Sequence, residues 1–406
     1  MCRVDAARPL VSRRPGRSTS GFQVARERDR TCGRRRFSSM ARTLKSDKLL
    51  FLATLLLVCV SVVMVYSASA FLAVDRYQQP PYFFLFKQVT WAAIGLCVLS
   101  VAMRIDYRIL KQPIVIWTGL GVCTVALVLV FFFPVVNGSR RWFSLGGIGV
   151  QPSELAKVAV IIFTASLLER RMDSIDRVTY ALGPIVLVTG VICGLIVLEP
   201  DFGTAFTVLT IVGVMVFAAG LHYRYLIGSA LVMAPLLFVI LASEEYRRRR
   251  LFAFLDPYAD PLGDGFQLIQ SQIAVGTGGL FGQGLMAGVQ KLFYLPAPHT
   301  DFIYAVIAEE TGLLGASAVL ACFGVIVWRG LRVTAAAPDR FGSFLALGLT
   351  MMVAFQAFVN ISVVLGMMPT KGIPLPFVSN GGSSLLISLL GMGILLNVSE
   401  HASADV

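Results

Sequence analysis

The chain has 406 residues, 56% of them hydrophobic and only 14% charged, with a mean hydropathy of +0.76. That balance excludes a soluble globular domain, and apolar runs of membrane-span length recur from Leu49 to Val398. The net charge of +12 is no signal for nucleic acid, and no nucleic-acid partner is expected. Residues 1–48 hold twelve Arg and two Lys against Asp5, Glu27, Asp29 and Asp47, so +10 of the total lies there and the remainder is nearly neutral.

In chain order, residues 1–48 read as a disordered basic cytoplasmic tail that touches anionic lipid; the alternative is that Met40 is the true start. The apolar run after Lys48 is too long for a signal-peptide core. About ten helical spans are expected, near 49–73, 83–102, 113–135, 152–169, 180–198, 203–220, 223–242, 300–328, 341–366 and 383–398, each long enough for a hydrocarbon core of roughly 30 Å. They form one all-α integral membrane domain over 49–398, followed by a short cytoplasmic tail at 399–406. Arg104, Arg108 and Lys111, then Arg170, Arg171 and Arg177, then Arg329, Arg332 and Arg340 fall on the side of the basic tail if the spans alternate, which places both termini in the cytoplasm. Arg247 to Arg250 fall on the other side. They lie in the long extracytoplasmic loop 243–299, between spans 7 and 8, whose turn-rich and Gly-dense stretches predict short interfacial or re-entrant helices.

Seven scattered Cys predict no disulfide framework, and three His (222, 299 and 401) without neighbours at ligand spacing predict no zinc site. The unusual residue types gather in three external segments: 137–154, 243–299 and 367–384.

The stretch His299-Thr300-Asp301 puts a carboxylate at the mouth of a span, where a charge held near hydrocarbon is by default a candidate for chemistry or transport. The spacing of Ala305, Ala308 and Gly312 from Asp301 predicts a lane of small residues that leaves room beside the acid. The plainer alternative is that Asp301 or Thr300 caps the helix. Glu309 and Glu310, two turns deeper, suit a structural pairing with a Lys or Arg of another element at least as well as catalysis. In Gln151-Pro-Ser-Glu-Leu-Ala-Lys157, Glu154 and Lys157 are i,i+3 neighbours that either neutralise each other or, with Arg140, Arg141 and Trp142, receive an anionic lipid headgroup. The acids of Glu199-Pro-Asp201 read as caps for the next helix. The Pro- and Gly-rich run 369–384 cannot be helical and is either a substrate lip or a rigid connector.

Taken together, Asn137-Gly-Ser-Arg-Arg-Trp-Phe143, Gln151 to Lys157, Glu199-Pro-Asp-Phe-Gly-Thr204, Asp256 to Phe266, Gln290 to Pro296, His299 to Ile303 and Pro374 to Ser384 resemble, in order, the motifs of the SEDS family of peptidoglycan polymerases (FtsW, RodA and the sporulation homologue). The likeness covers about residue 45 to the C-terminus, and Lys291-Leu-Phe-Tyr294 and Pro369-Thr-Lys-Gly372 look more like the FtsW division branch than the RodA branch. It implies Asp301 as the catalytic residue and a lipid-binding cavity near Lys157. The expected substrate-binding set is Lys157, Glu154, Arg140, Arg141, Trp142, His299, Thr300, Ser379, Gly381 and Gly382. There are two departures: Ala297 stands where the family usually has Glu, and Asn380 where it usually has Tyr, leaving Gly381 and Gly382 intact.

The resemblance further implies an inverting peptidoglycan glycosyltransferase that polymerises lipid II during septal wall synthesis and releases polyprenyl pyrophosphate. Its expected partners are lipid II, the nascent glycan strand, a class B penicillin-binding protein, other divisome membrane proteins and membrane lipid. The expected location is the bacterial inner membrane at the division septum. No cofactor is required by this reading, and a divalent cation, Mg or Mn, joins Lys157, Arg140 and Arg247 to Arg250 as a candidate to meet the pyrophosphate. Two competing functions are a lipid II flippase and a divisome scaffold that recruits a transpeptidase.

Overall fold

The computed structural model describes residues 47–134, 139–145, 148–172, 178–225, 227–228, 231, 235, 245–292 and 294–402. Most of the basic tail (1–46), Asn137, Gly138, Arg177, the greater part of the predicted span 223–242, the side chain of Arg247 and residues 403–406 lie outside the described residues.

Among the described residues, helices occupy nine of the ten predicted spans. They are α1 (Lys48–Asp75), α2 (Phe83–Arg104), α3 (Pro113–Leu129, continued by a 3-10 turn Val130–Phe132), α4 (Pro152–Arg171), α5 (Val178–Leu198) and α6 (Phe202–Ala218). After the loop helices α7 (Glu245–Leu255) and α8 (Phe266–Thr277) come α9 (Ile303–Ala336), α10 (Arg340–Val364) and α11 (Gly382–Ala402). Six of them, namely α1, α2, α3 with its extension, α9, α10 and α11, are long and apolar enough to cross a membrane, and α5 and α6 add shorter apolar stretches. The chain is a multi-pass membrane protein.

Local chemistry sets the helix ends. Asp47 caps α1 by accepting from the backbone N–H of Leu49 and Leu50 at 3.1 and 3.2 Å. Pro113 and Pro152 open α3 and α4, where the missing N–H costs nothing. Arg170 and Arg171 sit in the last turn of α4, where the helix dipole favours cations. The external segment before α4, for which the sequence predicted no element, folds into a two-stranded hairpin of β1 (Phe143–Leu145) and β2 (Ile148–Val150), with Phe143 paired to Val150.

Burial sorts the spans into layers. In α10 and α11, 78% and 83% of the most apolar window is buried, against 28% in α2 and α3. The last two spans therefore form the centre of the bundle, while α2 and α3 give most of their surface to lipid. α10 packs on α4, α6 and α9, and α11 packs chiefly on α2. At the end of the bundle away from Asp301, Arg329 pairs with Asp47, Lys111 pairs with Glu169 at 2.6 Å, and Tyr107 donates to Asp339. Asn397 there accepts from the Tyr107 N–H at 2.9 Å and donates to the Met103 carbonyl at 2.7 Å.

The long loop packs on the bundle. α9 breaks at Gly312, whose φ of 66° and ψ of −167° suit only glycine. The break frees backbone groups that the loop satisfies: Leu313 N–H donates to Gly279 O at 2.9 Å, and Gln283 and Gly284 N–H donate to Glu309 and Glu310 O at 3.0 Å. Irregular backbone at this depth is stable because protein, rather than lipid, covers it. The expected small-residue lane is corrected accordingly. Asp301 precedes the helix instead of sharing its face, and Gly312 is small because a Cβ there would stand 2.3 Å from the Gly282 nitrogen. Glu309 and Glu310 serve the same packing. Glu310 pairs with buried Lys291 at 2.5 Å and accepts from Ser67, while Glu309 accepts from the Val289 and Gln290 N–H groups.

Candidate active site

Four segments that lie far apart in sequence converge on one cavity of about 990 Å³: residues 139–154, 200–207, 250–302 and 369–384, with Gln356 of α10 at its wall. Asp301 lines it. It sits in a turn one residue before Phe302, the cap position of α9, and its side chain makes no capping bond, so capping does not explain the acid. Among the described residues, no hydrogen bond reaches its carboxylate. Burial pushes its pKa up to about 6, while Arg250 and Arg141 pull it down. The carboxylate is thus ionised at neutral pH and poised near the pH where a base is most effective.

Gly372 presses on it from the facing loop. A Cβ on Gly372 would lie 2.9 Å from Asp301 Oδ2. Gly372→Ala is therefore expected to displace the carboxylate and cut the activity of purified protein about tenfold or more, with little change in thermal melting. Wild-type turnover in that variant would show that the close approach is incidental.

The other predicted residues divide into those the cavity gathers and those it does not. Glu154, Arg141, Trp142, Thr300 and Gly381 line it together with Asp301. Arg141 is braced by the carbonyls of Glu199 and Pro200, at 3.0 and 2.5 Å. Lys157 is 1% exposed and closes a 2.8 Å ion pair with Glu154, so its charge is spent inside the bundle. Arg140 turns away to the Phe131 carbonyl at 2.8 Å. His299 is buried with its ring centroid 5.0 Å from that of Phe84, and burial drives its pKa down to about 4, which leaves it neutral. Ser379 donates to the Thr300 carbonyl at 2.6 Å and accepts from Leu375 N–H at 2.8 Å, which stitches the two loops together. Gly382 makes room for Trp91, since a Cβ there would stand 2.2 Å from the indole.

Other residues in or beside the cavity lay outside the predicted substrate-binding set. Lys371 lines the cavity with its Nζ 5.3 Å over the Phe206 ring; desolvation lowers its pKa and Asp201 opposes that. Arg250, the exception to the charge rule, faces the cavity and donates to the Thr370 carbonyl at 3.3 Å. Asp201 caps α6 as expected, accepting from Thr204 N–H at 3.2 Å, and also accepts from Gln151 at 2.9 Å. Glu199 does not cap. Both its buried oxygens are unpartnered, and burial together with the Asp201 charge raises its pKa to about 8, so it is a neutral acid at pH 7. Gln356 and Asn360, four residues apart in an apolar span, were the legible signal for a polar face on α10.

Among the described residues, no three His, Cys, Asp or Glu side chains gather as a metal cage. Of the acids on the cavity wall, Glu154 is paired with Lys157 and Asp201 is hydrogen-bonded. That leaves Asp301, too few protein donors to hold a divalent ion without substrate phosphates, and the cations at the cavity are Arg141, Arg250 and Lys371.

A family profile described as "Cell cycle protein" and covering FtsW, RodA and SpoVE matches residues 47–404. The chain belongs to this FtsW/RodA/SpoVE family. A relative from Geobacter sp. (strain M18), a probable peptidoglycan glycosyltransferase FtsW, is 45% identical over 366 residues, which is 89% of this chain and 99% of the relative. Stage V sporulation protein E of Bacillus subtilis is 39% identical over 366 residues, 88% of this chain and 97% of that protein. Among solved structures, a chain of a peptidoglycan synthase complex superposes with a TM-score of 0.73 at 32% identity, covering 89% of this chain and 99% of that one. RodA of Thermus thermophilus superposes with a TM-score of 0.65 at 29% identity over 88% of this chain and 97% of its own. The family's membrane bundle is thus matched over nearly its full length.

Proposed function

We propose that this member of the FtsW/RodA/SpoVE family is a peptidoglycan glycosyltransferase that polymerises lipid II. The observation that carries the reading is the unbonded Asp301 carboxylate facing a cavity of about 990 Å³ whose wall also holds Arg141, Arg250 and Lys371. In the reaction, the 4-hydroxyl oxygen of the acceptor GlcNAc attacks the anomeric carbon of the donor. The new C–O bond forms as the bond to the polyprenyl pyrophosphate breaks, with inversion, and the electron pair leaves on the pyrophosphate oxygen. Asp301 accepts the hydroxyl proton and later returns it to water.

Pyrophosphate leaves as a stable anion, so it needs positive charge more than a general acid. One carboxylate therefore suffices where glycosidases use two. That charge comes from Arg141, Arg250 and Lys371, since Lys157 and Arg140 are engaged elsewhere. Glu154 and Trp142 line the same cavity. The chemistry sits at the outer membrane surface with both termini in the cytoplasm. The enzyme works with a class B penicillin-binding protein at the division septum.

The test is an assay of the purified full chain in liposomes with labelled lipid II, with and without a cognate transpeptidase. Expected products are long glycan strands and released polyprenyl pyrophosphate. Transfer of lipid II between leaflets without strand formation would replace this reading with a flippase, and neither activity would leave a scaffold.

A further inference from the structure

The structure holds Asp301 through its backbone as well as through burial. Asn360, 1% exposed on α10, donates both amide hydrogens outward to the loops: one to the Asp301 carbonyl at 2.8 Å and one to the Ile373 carbonyl at 2.8 Å. These carbonyls belong to the two facing segments of the cavity, one carrying the acid and the other carrying Lys371 and Gly372. Two further bonds join the same segments, Asn380 N–H to the His299 carbonyl at 2.9 Å and Ser379 Oγ to the Thr300 carbonyl at 2.6 Å, but neither touches Asp301 itself.

α10 is among the most buried spans, so a side chain rooted in it is a rigid reference point for two irregular loops. An Asn amide has two donors in fixed geometry, which lets one side chain set the spacing of two carbonyls. Neither a hydroxyl nor a carboxylate can do this.

We propose that Asn360 is the positioning residue of the active site. It fixes the depth of Asp301 and its distance from the Lys371 loop by clamping the Asp301 and Ile373 carbonyls to α10. The proposal rests on the reading of Asp301 as the base. Loss of the clamp lets the 299–302 turn rise toward water, which misaligns the carboxylate and relieves the desolvation that lifts its pKa.

The experiment compares pH–rate profiles of lipid II polymerisation for purified wild type, Asn360→Ala, Asn360→Ser and Asp301→Asn. Asn397→Ala serves as the control, because Asn397 is an equally buried clamp at the far end of the bundle. Asn360→Ala is expected to lower kcat about tenfold or more with KM nearly unchanged. The acid limb of its profile should move from about 6 toward the ordinary 3.8. Asn360→Ser, which keeps one donor, should lie between, and it carries the test if the Ala variant does not fold. Asn397→Ala should lose comparable thermal stability without moving the acid limb.

An unmoved limb in both Asn360 variants would overturn the proposal, as would an equal shift in Asn397→Ala. If Asp301→Asn is inactive while the Asn360 variants behave as wild type, only the positioning role falls. Wild-type rates in Asp301→Asn would remove the base reading and this proposal together.

Discussion

Asp301→Asn is expected to lower glycan polymerisation by about 10²–10⁴-fold, the usual contribution of a general base, while leaving the fold and membrane insertion intact. The structural reason the two effects separate is that the carboxylate serves no helix cap, so an isosteric amide removes chemistry and no support. The same residue fixes the pH profile. A base works when ionised, and burial raises the Asp301 pKa to about 6, so the rate should climb as pH rises through about 6 and level off above it. Arg250 stabilises the ionised form, so Arg250→Ala should move that acid limb to higher pH. Purified Asp301→Asn that still makes strands, or a wild-type rate flat from pH 4 to pH 8 (roughly the span over which a group near 6 would titrate), would end the assignment.

The second large effect is on stability. Lys157→Met should destabilise the protein by about 3–5 kcal/mol, because it strands the Glu154 carboxylate in the bundle without its 2.8 Å partner. That is a large fraction of the margin by which most proteins stay folded. The double variant Glu154→Gln with Lys157→Met should regain most of the loss, since removing both charges of a buried pair is often nearly neutral. Thermal unfolding in detergent, followed for the single and double variants, measures both. A stable Lys157→Met protein with a raised KM would instead return Lys157 to substrate binding.

Much of the bundle was legible because apolar periodicity and length act locally. α1, α2, α4, α5 and α6 begin and end within a few residues of the predicted spans, and the Pro152 that opens α4 and the Asp201 that caps α6 are visible in sequence. The hairpin before α4 was not, because its strands are three residues each and carry no lasting alternation. The break in α9 was hidden for a related reason. Gly312 in an apolar run reads as one more small helical residue, and only the arrival of Gly279 to Gly284 from the preceding loop makes its conformation favourable.

The site shows the same divide. Motif order pointed to Asp301, Glu154, Arg141, Trp142 and Thr300, and all of them reach the cavity. The same motifs offered Lys157, Arg140, His299 and Ser379 on equal terms, yet these are turned to an ion pair, a distant carbonyl, a Phe84 ring and a loop stitch. Residue type alone could not separate the two groups, since Arg141 enters the cavity while its immediate neighbour Arg140 turns away.

From sequence alone, the chain is determined to be a helical membrane protein with an acid, Asp301, at the head of a late span. Those properties follow from hydrophobicity, helical period and the cost of charge near lipid, which each residue carries wherever it goes. The choice of Arg141, Arg250 and Lys371 as the cavity's cations, the unpartnered state of Glu199, and the clamp of Asn360 on the Asp301 and Ile373 carbonyls were decided by tertiary structure. Each depends on segments dozens to hundreds of residues apart meeting in space, where a partner's presence or absence, rather than the residue itself, sets charge, direction and use.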